Sequence, residues 1–365
     1  MLDSAVSQGL FSGGVLLVQR GHRQLHLSCH GRTAWRGGMS VTPATCFDLA
    51  SLTKVLATTG LALLAAERGE IGLDAPLAEQ LPVLGSGPWR RITPRHLLEH
   101  SSGLDAWRGY HAELAAFAGG AWVARRTGRD AVRRMVAAER PAAPPGRQSR
   151  YSDLGFILLD WLLERAGGVG LDRLFQRRLA RPLELADLFF VDLKAPARAA
   201  AARRGRSFAA TERCGWRGRV LCGEVHDDNT YAMGGVSGHA GLFGTAAAVG
   251  RLAAVWLDGW QGRPGPLAPD WVRRFWTRSA VAGSDRRLGF DGRSATGSQA
   301  GERMGPDSVG HLGFTGTSLW IDPDRALIAV LLTNRVHPRR ADERIRDFRP
   351  RLHDALIERS DEEAR

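Results

Sequence analysis

Lysine is nearly absent from this 365-residue chain. Only Lys54 and Lys194 occur, and the other 48 of the 50 basic residues are arginines. Cysteine is scarce as well. Cys29, Cys46, Cys214 and Cys222 form no C-x-x-C pair and no metal-ligand spacing, which argues against a zinc site or a redox motif. Cys214 and Cys222 are close enough in sequence to close a loop, but free thiols are expected. No apolar run reaches the roughly 18 residues of a membrane span. The longest, over 55–66, is interrupted by Thr58, Thr59 and Gly60 and reads as a core helix. The opening residues, Met-Leu-Asp-Ser-Ala-Val-Ser-Gln, carry no basic region and no apolar stretch before a cleavage site. They do not read as a signal peptide, so the expected location is cytoplasmic. There is no internal repeat.

Hydrophobic residues make up 44% and charged residues 24% of the chain, ordinary values for a folded globular protein. The length suffices for a core that needs no disulfide or metal. The formal net charge of +12 raises a nucleic-acid reading, that of a non-catalytic basic binding protein. The arginines, however, are spread along the whole chain, and their densest stretch, 198–219, reads as a solvated loop. Arginine excess is therefore taken as background and no nucleic-acid partner is expected. The rarity of lysine is the informative half. Lysine can give up its proton where arginine cannot readily do so, which gives Lys54 a chemical reason to persist, whereas Lys194, in a Leu-Lys-Ala-Pro loop, has none.

Periodicity sets the outline. Val15 to Arg20 and Gln24 to Cys29, joined at Gly21-His22, read as a β-hairpin. A short helix over 2–9 precedes it. From Ser51 the apolar spacing becomes helical and runs to Glu67, before Gly69. Residues 74–82 read as a connector. Thr93 caps a helix with Pro94 at its first position. Helical patterns follow over 122–138, 154–165 and 171–179. The stretch 194–224 reads as loop, and 234–245 as a glycine-rich turn. Thr245 caps a helix to Leu257. Ser318–Ile321 and Ala326–Leu332 form a second hairpin signal around Asp322-Pro323-Asp324. A terminal amphipathic helix spans 340–357. Strands at both ends and helices between predict an α/β (α+β) fold, with an antiparallel sheet built from both termini and a mostly helical insertion.

Three segments carry chemistry. In Ser51-Leu52-Thr53-Lys54, positions i and i+3 share a helix face, so the amine reaches the hydroxyl, and the helix N-terminus adds partial positive charge. A serine needs such help because its hydroxyl is a poor nucleophile at neutral pH. Tyr151, one of three tyrosines, sits between a proline-rich turn and an apolar helix. A phenol beside an ammonium is expected to have its pKa lowered and to shuttle protons. Gly310-His311-Leu312-Gly313-Phe314-Thr315-Gly316 precedes the C-terminal hairpin. Its glycines allow close approach of a ligand, a backbone N–H there can serve an oxyanion hole, and His311 is a donor or proton-transfer group.

Taken together, these segments resemble the class C β-lactamase-like serine hydrolase family, which includes D-alanyl-D-alanine carboxypeptidases, D-aminopeptidases, esterases and cell-wall amidases. S-x-x-K is the nucleophile motif of related penicillin-binding proteins. The order S-x-x-K, Y-S-x, then His-x-Gly near the C-terminus matches, and similar stretches include Phe47-Asp48-Leu49-Ala50, Ile92 to Leu104 and Ile321-Asp322-Pro323. The resemblance runs from about residue 2 to residue 357. It implies a β-lactamase/transpeptidase-like fold in one catalytic domain over 1–360, with an α/β part over about 1–75 and 235–360 and a helical part over about 76–234. By resemblance Ser51 is the acylated nucleophile, and Lys54 and Tyr151 share the acid and base work in a division left open. The backbone N–H groups of Ser51 and Phe314 form the oxyanion hole, and Asp153, His311 and Gly313 contact substrate. Asp153 stands where many members have Asn, and His311-Leu312 where β-lactamases have Lys-Thr. These changes favour an ester, amide or peptidoglycan-derived peptide over a true β-lactam substrate. No cofactor or metal is expected. The loops His226–Asn229 and Ser237–Gly241 are expected to line the cleft or to bond backbone locally.

Overall fold

The computed structural model describes residues 1–362. Its strands, in chain order, are β1 (Gly13–Arg20), β2 (Arg23–Gly31), β3 (Phe47–Asp48), β4 (Leu188–Phe190), β5 (Arg213–Cys214), β6 (Arg219–Val220), β7 (Leu242–Gly244), β8 (Asp291–Gly292), β9 (Val309–Leu312), β10 (Ser318–Asp322) and β11 (Leu327–Thr333). Six of them form one antiparallel sheet in the order β2-β1-β11-β10-β9-β8. Its centre joins the two ends of the chain, with Val15 opposite Leu332 and Leu17 opposite Val330. Both hairpins anticipated from alternation are present, and their pairing makes the sheet that the termini were expected to build.

Alternation also sorts the two faces of that sheet. Val15, Leu17, Leu319, Ile321, Ile328, Val330 and Leu332 enter the large core with the helices Gly60–Glu67 and Ala246–Trp260. Leu16, Val18, Trp320, Leu327, Ala329 and Leu331 face the other way. They pack against Leu2 and Ala5 of the N-terminal helix and Phe348, Leu352 and Ile357 of the C-terminal helix Ile345–Glu362. A one-residue slip in β1 would exchange these faces, so the register is strongly specified. The large core continues without a break into the central helices through Leu97, Val132, Leu154 and Ile157.

Local signals explain most helix ends. The Thr93 hydroxyl accepts the His96 N–H while His96 Nδ1 accepts the Thr93 N–H, a reciprocal cap. Thr245 caps Ala246–Trp260, and Ser152 caps Asp153–Gly167. Several elements depart from expectation. Within 194–224, read as loop, Pro196–Arg203 is helical, because Pro at the first turn followed by alanines favours a helix. The same stretch contains the β5–β6 hairpin. The connector over 74–82 holds one helical turn, Leu77–Gln80, and the helix Pro269–Trp276 had no counterpart in the sequence reading. The helix expected from Ser51 begins with wider π-type turns over Lys54–Thr59 before becoming α-helical. All four cysteines are free thiols. Among the described residues no helix is long and apolar enough to cross a membrane.

Candidate active site

The site is built around a strained turn. Asp48, buried at the end of β3, accepts the Ala50 N–H at 2.9 Å with one oxygen and the His226 N–H at 2.6 Å with the other. Ala50 is held at φ +46°, a left-handed conformation that costs a residue with a Cβ about 1–2 kcal/mol. The Thr53 hydroxyl donates to the Ala50 carbonyl at 2.6 Å. This bracing delivers Ser51 to the floor of a cavity of about 800 Å³.

One turn on, Lys54 Nζ lies 3.0 Å from Ser51 Oγ. Lys54 is 0% exposed. Its Nζ also donates to the His239 carbonyl at 2.9 Å and pairs with Asp153 Oδ1 at 2.7 Å. Burial pushes the ammonium's pKa down, Asp153 pushes it up, and burial wins. Across the cavity the Tyr151 hydroxyl donates to Ser51 Oγ at 2.8 Å. Its ring packs between His100, with centroids 4.7 Å apart, and His311, at 5.9 Å. Here the structure reverses an expectation. Burial, reinforced by the Asp153 carboxylate, pushes the phenol well above its ordinary value rather than below it, so Tyr151 keeps its proton.

Ser51, Tyr151, Asp153, His311, Gly313 and Phe314 all line this cavity. Asp153 has its carboxylate engaged with Lys54. His311, on β9, directs Nδ1 to the Leu312 carbonyl at 2.8 Å and leaves Nε2 buried without a partner among the described residues. Burial pushes its pKa down to about 4, so the ring is neutral at pH 7. Gly313 lets β9 run against the nucleophile's segment, since a Cβ there would sit 1.9 Å from Thr317 Oγ1 and 2.6 Å from the Leu49 carbonyl. Among the described residues neither the Ser51 nor the Phe314 N–H has an acceptor. The Gly313 carbonyl, in the same peptide unit as the Phe314 N–H, accepts Arg349 Nη2 at 3.0 Å. That guanidinium also donates to the Thr317 carbonyl at 2.8 Å and has no carboxylate within ion-pair distance among the described residues. A donor on the carbonyl polarises the peptide and strengthens its N–H.

The loops His226–Asn229 and Ser237–Gly241 do contribute to the cavity wall, through His226, Asp227, Asp228, His239 and Ala240. Arg286, paired with Asp291 and 5.5 Å from the centre of the Tyr151 ring, was not anticipated, nor was Arg349. Among 48 arginines nothing in the sequence distinguishes these two. Among the described residues no three His, Cys, Asp or Glu side chains are placed to share a metal ion.

Comparison with known proteins identifies the family. The family model described as Beta-lactamase matches residues 2–350. A candidate D-alanyl-D-alanine carboxypeptidase of Escherichia coli K12 is 29% identical over 83% of this chain and 72% of its own length. An N-acetylmuramyl-L-alanine amidase of Bacillus subtilis strain 168 is 28% identical over 92% of this chain and 80% of its own. The solved structure of simvastatin synthase from Aspergillus terreus superimposes with a TM-score of 0.71 at 22% identity, covering 98% of this chain and 96% of that one, and so shares the fold.

Proposed function

The chain belongs to the beta-lactamase family, and from that premise we propose that it is a serine hydrolase working through an acyl-enzyme on Ser51. The observation that carries the reading is the convergence of Lys54 Nζ and Tyr151 OH on Ser51 Oγ, at 3.0 and 2.8 Å, in an open cavity. The opposite directions of the two pKa shifts divide the labour. Lys54, biased toward the neutral amine, takes the Ser51 proton as Oγ bonds to the substrate carbonyl carbon. The Ser51 and Phe314 N–H groups hold the oxygen that becomes negative. Tyr151, biased toward the neutral phenol, gives its proton to the leaving group and is reprotonated from Lys54. Water then attacks the acyl-enzyme by the same route in reverse.

The substrate we propose is an ester, an amide or a peptidoglycan-derived peptide. The kinship with a carboxypeptidase and an amidase supports the last two. A neutral, buried His311 and an apolar Leu312 supply no fixed charge and no hydroxyl on β9 for a β-lactam carboxylate. The test is parallel turnover of p-nitrophenyl esters, D-amino-acid amides, muropeptides and a chromogenic cephalosporin by the protein and its Ser51→Ala variant. Serine-dependent turnover in one of the first three classes is expected. Fast cephalosporin turnover would overturn the ranking, and turnover unchanged in the variant would overturn the mechanism.

A further inference from the structure

Three carboxylates near Lys54 oppose its deprotonation, Asp153 at 2.7 Å and Asp227 and Asp291 in the same cavity wall. Each pulls the amine's pKa up against the stronger downward push of burial, the reverse of what a proton acceptor needs. Asp227 is there for a local reason, since its side chain accepts the Thr230 N–H at 2.7 Å and caps the helix Asp228–Ala232. What stands against its charge is His239, a ring 1% exposed.

Hydrogen bonding fixes the state of that ring. The Ser237 hydroxyl donates to Asp160 Oδ2 at 2.9 Å, and Asp160 is paired with Arg133 at 2.5 Å. A hydroxyl has one proton to give. The Ser237 oxygen, 2.9 Å from His239 Nδ1, is therefore an acceptor, and Nδ1 carries a hydrogen. On the far side Nε2 lies 2.9 Å from the Asp227 carboxylate and 3.1 Å from the Thr230 hydroxyl, so it carries a hydrogen too. With both nitrogens donating, the ring is an imidazolium. Burial disfavours that charge, Asp227 favours it, and the balance lies on the side of the proton.

We propose that His239 is a positioning residue for the Ser51–Lys54 pair: its buried imidazolium cancels the Asp227 carboxylate, so that Lys54 can shed its proton while Asp227 remains in place as a helix cap. The proposal rests on the reading of Lys54 as the acceptor of the Ser51 proton. His239 serves the same amine through its backbone, whose carbonyl receives Nζ at 2.9 Å. The charged or titratable groups facing Lys54 are Asp153, Asp227, Asp291, Tyr151, His100, His239 and His311, and Asp291 is already matched by Arg286. Those facing His239 are Asp227, Asp153 and Lys54, with Asp160 reached through Ser237. Removing the ring's charge leaves Asp227 to act on Lys54 alone, which raises the amine's proton affinity.

Two measurements test this. In the protein labelled with ¹³C,¹⁵N-histidine, both ring nitrogens of His239, assigned by through-bond correlation to the residue's own backbone, are expected to be protonated at pH 7.5. A neutral tautomer there would overturn the proposal, whether or not the variant folds. In His239→Gln, the acid limb of Ser51 acylation by a fluorophosphonate is expected to rise by about one pH unit, about tenfold slower labelling below the limb, with the alkaline plateau retained. A general loss of structure would lower the plateau instead. An unmoved limb with Ser51 still labelled would overturn the proposal and leave the acyl-enzyme reading standing. Failure of the unaltered protein to label at Ser51 would overturn that reading itself.

Discussion

Replacing Asp153 by Asn keeps the side chain's shape and removes the charge that most strongly holds a proton on Lys54. At the observed 2.7 Å, two unit charges in an effective dielectric of about 20 attract by roughly 6 kcal/mol. That gross figure is an upper limit, because the carboxylate's own desolvation offsets part of it. Shifts produced by an adjacent opposite charge run to about 1–3 pH units, or about 1.4–4 kcal/mol. The sign follows directly. A protonated Lys54 cannot accept the Ser51 proton, so activity falls as pH drops through its pKa. Losing Asp153 lowers that pKa, and the acid limb moves down by about 1–3 units. The assay is kcat/KM for a p-nitrophenyl ester from pH 4 to 10, with the limb compared between Asp153→Asn and the unaltered protein. A limb that stays in place or moves up would refute the assignment of Lys54 as the base.

Tyr151→Phe removes the proton donor 2.8 Å from Ser51 Oγ and should lower kcat by about 10²–10⁴ with little change in KM, checked by steady-state kinetics on one ester. Gly313→Ala forces a Cβ to within 2.6 Å of the Leu49 carbonyl. It should cost about 1–3 kcal/mol in urea unfolding and depress acylation, and an unchanged midpoint would contradict the close approach. His353 is buried and neutral, its pKa pushed down by burial to about 4, whereas an unfolded chain protonates histidine near 6.5. The unfolded state therefore binds more protons between those values. This group's contribution to stability is lost progressively as pH falls from about 6.5 toward 4, by up to about 3 kcal/mol. Urea unfolding at stepped pH should show a shallower acid loss in His353→Gln, and an identical slope would count against the burial argument.

The sheet was legible because β1, β10 and β11 alternate so regularly that one periodicity sorts both faces. The helices with strong caps at Thr93 and Thr245 were legible for a similarly local reason. Pro196–Arg203 was missed because arginine and glycine around a short alanine run resemble a solvated loop. At the site, Ser51, Lys54 and Tyr151 could be proposed because the S-x-x-K and Y-S-x segments, in that order, resemble the family's motifs; spacing and the rarity of lysine and tyrosine only drew attention to them. The direction of the Tyr151 shift was misread because burial and the Asp153 carboxylate, both invisible in local sequence, outweigh the Ser51 hydrogen bond and the Arg286 charge. The bracing by Asp48, His239 and Arg349 was out of reach for a different reason. Those contacts join residues 178, 185 and 36 positions apart, set by how helices, sheet and loops pack rather than by local spacing.

The claim on which the whole account turns is that Ser51 becomes acylated, and peptide mapping by mass spectrometry after fluorophosphonate labelling tests it most directly. The account predicts a single adduct on the peptide containing Ser51, lost in Ser51→Ala and slowed at acid pH with Lys54. An adduct on another residue, or one that persists in Ser51→Ala, would contradict it.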